Sequence, residues 1–118
     1  MDWTVEFHAD FAVEFMALNE EVQDELAAYV ELLKVIGPQL RRPYADTLNG
    51  STHANMRELR FEAADGVWRV AYAFDPDRKA ILLVAGDKSG VSQRRFYASL
   101  IRKADQRYEA HLRARRKT

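Results

Sequence analysis

The chain has 118 residues, 47% apolar and 31% charged, and its 18 basic and 18 acidic side chains cancel to a formal net charge of zero. These are values of an ordinary globular domain, long enough to bury roughly two thirds of the surface its unfolded form exposes. No run approaches the ~18 consecutive apolar residues of a bilayer-spanning helix, and the absence of cysteine removes disulfides and thiolate metal sites, so a cytoplasmic location without membrane contact is expected.

The zero total conceals a segregation. Residues 1–36 hold nine acids against Lys34 alone, and 17 of the 18 lysines and arginines follow Gly37. One part of the molecule is therefore expected to attract polyanions and another to repel them. The first residues, MDWTVEFHAD, contain neither a basic nor an apolar leader segment, so no signal peptide is expected.

Along the chain, Trp3 to Phe7 alternates apolar and polar side chains and predicts a half-buried strand. Asp10 is placed to cap a short helix through Leu18, and Asn19 a longer one whose apolar residues Val22, Leu26, Tyr29, Val30, Leu33 and Ile36 recur at steps of three and four. Gly37 and Pro38 end it. Acids at Glu20, Glu21 and Asp24 sit where the helix dipole favours negative charge. Residues 38–55 show no steady period, and Leu48-Asn49-Gly50-Ser51 reads as a turn.

From Asn55 the pattern is a meander. Asn55 to Glu62 alternates, Asp65-Gly66 signals a hairpin, Val67 to Asp75 alternates again, Asp75 to Arg78 turns, and Ala80 to Ala85 is an apolar run. Ser92 then caps a final helix with Tyr97, Leu100, Ile101, Ala104, Tyr108 and Leu112 on one stripe, followed by the basic tail Arg113 to Lys117. The order predicts a single α+β domain over residues 1–118, with a mostly antiparallel sheet.

Side-chain parity locates a candidate site. Trp68, Val70, Tyr72 and Phe74 belong to one face of their strand and must meet the core, which leaves Arg69 among Ala71 and Ala73 on the other. On the preceding strand Leu59 and Phe61 are core residues, so Met56, Glu58 and Arg60 project to the side of Arg69. The expectation is an open, shallow surface bearing a carboxylate and two guanidinium groups, with Lys88 beside Arg69 and Arg57 turning outward at the edge. Lys88 lies in a turn whose glycines, Gly86 and Gly90, would let backbone approach a ligand. Arg94 and Arg95 open the last helix, where the dipole disfavours cations, and with the free amides there they predict a phosphate site.

Other chemistries are less well supported by the sequence. GDKSG lacks the spacing of a phosphate-binding loop and no dinucleotide fingerprint occurs. His8, His53 and His111 have no metal-ligand spacing, and there is no GxSxG or cysteine nucleophile. The remaining Arg, Lys, Glu and Tyr suit cofactor-free phosphoryl chemistry on RNA, where the ribose 2′-hydroxyl supplies the nucleophile and the protein positions it and neutralises charge.

The segments GPQLRRPYADTLNG, MRELRF, VWRVAYAFDPDRKAILLVAGDKSG and the RRFY…AD.RY..HL helix together resemble toxins of the RelE/ParE superfamily, and most closely the HigB-like, phage Gp49-like branch of toxin–antitoxin modules. That resemblance implies a RelE-like fold, with two N-terminal helices on one sheet face and a C-terminal helix. It also implies a ribosome-dependent endoribonuclease that cuts mRNA and is held by a cognate antitoxin of helix-turn-helix type. It matches Arg69 to a phosphate-stabilising strand arginine, Lys88 to a cation after the last strand, Tyr97 to a stacking or proton-transferring tyrosine, and Arg60 to a family position. Glu58 departs from the lysine of RelE and, with Tyr97, is a candidate proton acceptor. Two other readings stand beside this one: a gyrase inhibitor of the ParE type, and a non-catalytic module that only binds an antitoxin or nucleic acid.

Overall fold

The computed structural model describes residues 2–117. Its elements in chain order are β1 (Thr4–Phe7), α1 (Ala9–Met16), α2 (Glu20–Ile36), a 3₁₀ turn (Gly37–Gln39), β2 (Ala45–Thr47), β3 (Arg57–Ala63), β4 (Gly66–Phe74), β5 (Lys79–Asp87) and α3 (Gln93–Arg116). The sheet order is β1-β5-β4-β3-β2. Every neighbouring pair is antiparallel except β1 with β5, so the α+β expectation and the meander are found as predicted.

Both faces of the sheet are covered. Leu59 opposite Val70 and Phe61 opposite Trp68 meet Val22, Leu26, Val30 and Leu33 of α2 and Phe11 of α1 in one cluster. On the other face Ala71, Ala73, Ile81 and Leu83 lie under Phe96, Leu100, Ala104 and Tyr108 of α3. The alanines are small because a helix packs on them, not to leave a ligand space. At Gly86 a Cβ would stand 2.8 Å from the Phe96 ring, so the missing side chain is what lets the start of α3 reach β5.

An irregularity in β5 sets the course of the chain beyond it. Ala71 pairs with Val84 but Tyr72 with Leu82, so Leu83 is an extra residue and both Leu83 and Val84 face α3. This bulge reverses the parity of the strand's end. Gly86, and beyond it Lys88, therefore fall on the α3 side.

Several local expectations are corrected. His8, not Asp10, caps α1, its Nδ1 accepting from the Asp10 amide at 3.1 Å, and α1 ends at Met16 rather than Leu18. Asn19 and Ser92 cap α2 and α3 as their sequence context requires. β2 falls inside the stretch that shows no period, because three residues are too few to display one. Among the described residues no helix is long and apolar enough to cross a membrane.

Candidate functional site

The second sheet face carries the expected residues but is not open. Glu58 is opposite Ala71 and Arg60 opposite Arg69, and α3 lies across them. Arg69 is 6% exposed. Its Nη1 donates to the Trp68 carbonyl at 2.9 Å, its Nε donates to the Tyr97 hydroxyl at 3.2 Å, and the same Nε stands 3.9 Å from Glu58 Oε1. The expectation of Arg69 standing beside Lys88 on an uncluttered surface is thus overturned: the start of α3 needs the space above Ala71 for Phe96 and Leu100, and it buries the guanidinium beneath Tyr97.

Glu58 is 4% exposed. Its Oε2 accepts from Arg60 Nη1 at 2.7 Å, whereas Oε1 has no hydrogen-bond partner among the described residues. A buried carboxylate oxygen without a donor is costly, of order 1–3 kcal/mol or more for a charged group. Its charge acts on Tyr97. Burial, with the Glu58 carboxylate assisting and Arg69 opposing, holds the Tyr97 phenol above its ordinary range. At neutral pH Tyr97 is therefore a protonated donor whose oxygen already accepts from Arg69.

A cavity of about 750 Å³ opens beside this group, between β2 with the turn after it, β3 and the first turn of α3. Glu58, Arg60, Tyr97, Lys88 and Arg94 all line it, so five of the eight expected site residues are brought together. Lys88 is half-buried and Arg94 exposed, and no ion pair engages either ammonium or guanidinium among the described residues. The space suits a nucleotide-sized anion.

The Lys88 turn does not offer backbone to a ligand. The Lys88 amide donates to the Val67 carbonyl at 2.8 Å, and Asp87 Oδ1 accepts from the Val67 amide, the Ser89 amide and the Ser89 hydroxyl. Burial pushes the Asp87 carboxyl up, but these hydrogen bonds outweigh it and leave the group below its usual range. The turn is a rigid mount for one ammonium group.

Arg69 lies behind the cavity beneath Tyr97, and two expected residues lie elsewhere. Arg95 points to the other flank of α3, where it lines a separate cavity of about 240 Å³ with Lys103; one helical step of ~100° separates it from Arg94, so the two arginines do not converge. Its own amide is taken by the Ser92 hydroxyl at 3.2 Å. Arg57 does not turn outward. Its Nε donates to the Tyr72 hydroxyl at 3.2 Å and its Nη2 to the Leu40 carbonyl, which ties β3 to the chain leaving α2.

The sequence reading missed Arg42, Asn49 and Gln93, which line the cavity with Asp46, Thr47 and Leu48. Arg42 pairs with Asp46 at 2.8 Å. Asn49 belongs to a turn that α3 clasps: Asp105 accepts from the Ser51 hydroxyl at 2.5 Å and from the Thr52 amide at 3.1 Å. His53 faces Glu109 at 3.3 Å and packs edge-on against Tyr108, a latch on the helix rather than part of the cavity. Among the described residues no cluster of His, Asp or Glu is arranged to hold a metal ion.

Residues 13–109 match the family of phage derived Gp49-like proteins. Two curated relatives from Mycobacterium tuberculosis are similar. The candidate toxin HigB3 is 45% identical over 95 residues, covering 80% of this chain and 81% of that protein. The candidate toxin HigB2 is 40% identical over 96 residues, covering 80% of this chain but 47% of the longer relative. Among solved structures, a mutant of the Escherichia coli toxin RelE in the free state superposes with a TM-score of 0.62 at 13% identity, covering 87% of this chain and 97% of that one; at that identity the likeness shows the fold.

Proposed function

The chain belongs to the phage derived Gp49-like family and is a HigB-like toxin of the RelE superfamily, and from that premise we propose that it is an endoribonuclease that cuts ribosome-bound mRNA and is restrained by a cognate antitoxin. The observation that carries the reading is a single cavity wall that brings the Glu58 carboxylate and the Tyr97 phenol together with Lys88 and Arg94, neither of which has an ion-pair partner among the described residues. A carboxylate and a phenol beside cations without an anion are the complement of a ribose hydroxyl next to its phosphate.

In this arrangement Glu58 accepts the proton of the 2′-hydroxyl as its oxygen attacks the adjacent phosphorus. The bond to the 5′-oxygen breaks, leaving a 2′,3′-cyclic phosphate and a 5′-hydroxyl end. Lys88, Arg94 and Arg60 stabilise charge on the phosphorane-like transition state, and Tyr97, held protonated, gives its proton to the departing 5′-oxygen and is reprotonated after the products leave. Arg69 acts through others: it fixes the Tyr97 hydroxyl and balances Glu58, and is a positioning residue rather than a direct phosphate ligand.

The burial of Arg69 also favours a second reading, a non-catalytic module in which Glu58, Arg69 and Tyr97 form a structural ion cluster and the cations only bind. Mapping message ends in a translating extract separates the two. Cyclic-phosphate ends that depend on Glu58 support the nuclease; RNA binding with intact message supports the module.

A further inference from the structure

A second cavity, of about 530 Å³, adjoins the first. Leu40, buried at 2%, and the half-exposed Ile36 form its apolar side, Tyr44 stands at its edge 43% exposed, and Arg41 and Arg42 flank it. Arg42 lines both cavities, so one side chain stands on the wall between them. Among the described residues no acid lines the second cavity.

Tyr44 is braced for contact. The amides of Tyr44 and Ala45 both donate to the Arg41 carbonyl, at 3.0 and 3.1 Å, and the Tyr29 ring meets Tyr44 edge-on at 6.1 Å. Arg41 is exposed and has no ion pair among the described residues. Arg42 is held by Asp46, but its side chain is 67% exposed, and so open a pair yields readily to a phosphate. An exposed, backed aromatic ring in one cavity with two arginines is the composition that binds single strands by stacking and backbone charge.

We propose that this cavity is a second subsite for single-stranded RNA, in which a nucleotide flanking the scissile phosphate stacks on Tyr44 and its phosphate lies between Arg41 and Arg42. The proposal rests on the first cavity being the message site. It makes LRRPY, a segment with no role in the chemistry, the part of the chain that sets how long a strand is gripped. Stacking of this kind is sequence-tolerant, so the subsite adds affinity and register without selecting a base.

The test uses the full chain and RNA oligonucleotides with a 2′-deoxy sugar at the scissile position. These are lengthened one nucleotide at a time at either end, with 2-aminopurine as the added base. On one side the added nucleotide is expected to tighten binding about tenfold, with quenched fluorescence. Tyr44→Ala removes the gain and the quench and leaves the shortest oligonucleotide's affinity unchanged, whereas Tyr44→Phe keeps all three, which controls for folding. Equal gains in wild type and Tyr44→Ala, or no gain at either end, overturn the proposal. So does a Tyr44→Ala variant that loses affinity only for its antitoxin, which would make the occupant a protein segment. Shortest oligonucleotides that bind Lys88→Ala/Arg94→Ala as tightly as wild type overturn the first-cavity reading as well, an outcome distinguishable because it does not involve Tyr44.

Discussion

The Tyr97 hydroxyl accepts a hydrogen bond from Arg69 Nε at 3.2 Å, so the last helix and the central strand of the sheet share one polar contact at the back of the cavity. Arg69 cannot be removed there without consequence. Its guanidinium stands 3.9 Å from Glu58 Oε1, and both side chains are buried. Arg69→Ala is expected to destabilise the fold by about 3 kcal/mol, because it removes one of the two guanidinium groups that balance the buried Glu58 carboxylate. Urea unfolding measures it. Arg69→Ala/Glu58→Gln should recover much of that stability while remaining inactive, and a single variant as stable as wild type would show that Arg69 is not a structural partner.

Lys88 and Arg94 differ from Arg69 in being reachable by solvent. Lys88→Ala and Arg94→Ala are expected to change stability by no more than about 0.5 kcal/mol and to weaken RNA binding at low salt. Each should also flatten the dependence of log affinity on log salt by about 0.7 for single-stranded RNA, as one phosphate contact is lost. Arg95→Ala, on the other flank of α3, leaves oligonucleotide affinity at the cavity unchanged. Titrations at a series of salt concentrations read all three.

Glu14 joins α1 to α3 by accepting two hydrogen bonds from Arg107, while Arg107 also donates to the Leu83 carbonyl at the β5 bulge. Hydrogen bonding to Arg107 is the main cause holding the Glu14 carboxyl below its ordinary value of 4.5; burial opposes it. A folded-state pKa below the unfolded one stabilises above the unfolded value and loses that contribution as pH falls through the folded one. Glu14→Gln should therefore melt below wild type at neutral pH, with the gap closing under acid conditions below 4.5. Parallel thermal melts across that range check it, and a gap that widens on acidification would contradict the assignment.

The Asp105 clasp holds the turn that carries Asn49 against α3. Asp105→Ala frees the Ser51 hydroxyl and the Thr52 amide, which is expected to cost about 1–2 kcal/mol and to speed amide exchange in residues 50–53 selectively. RNA affinity should fall with it, because one wall of the cavity loosens. Hydrogen exchange that rises uniformly over the chain would instead mark a general loss of stability.

The meander, the helix caps at Asn19 and Ser92 and the face on which Glu58, Arg60 and Arg69 lie are all legible in the sequence, because period-two parity is a local property of the chain. What covers a face is not local. The alanines around Arg69 are equally compatible with ligand space and with a packed helix, and Phe96, which decides between them, lies one position before the stripe that starts at Tyr97. The Leu83 bulge is invisible in an apolar run, yet it is what turns Lys88 to the α3 side. Arg94 and Arg95 are adjacent in sequence, which suggests a shared ligand, although neighbouring helical residues point ~100° apart. Arg42 and Asn49 flank a three-residue strand with no period to reveal it.

The most direct measurement maps 3′ ends in a translating extract supplied with wild-type protein or Glu58→Gln. The account predicts new message ends carrying 2′,3′-cyclic phosphate with wild type, and none above background with Glu58→Gln despite retained RNA binding. Message that stays intact while wild-type protein arrests translation in the extract, or ends that form equally with Glu58→Gln, would contradict it.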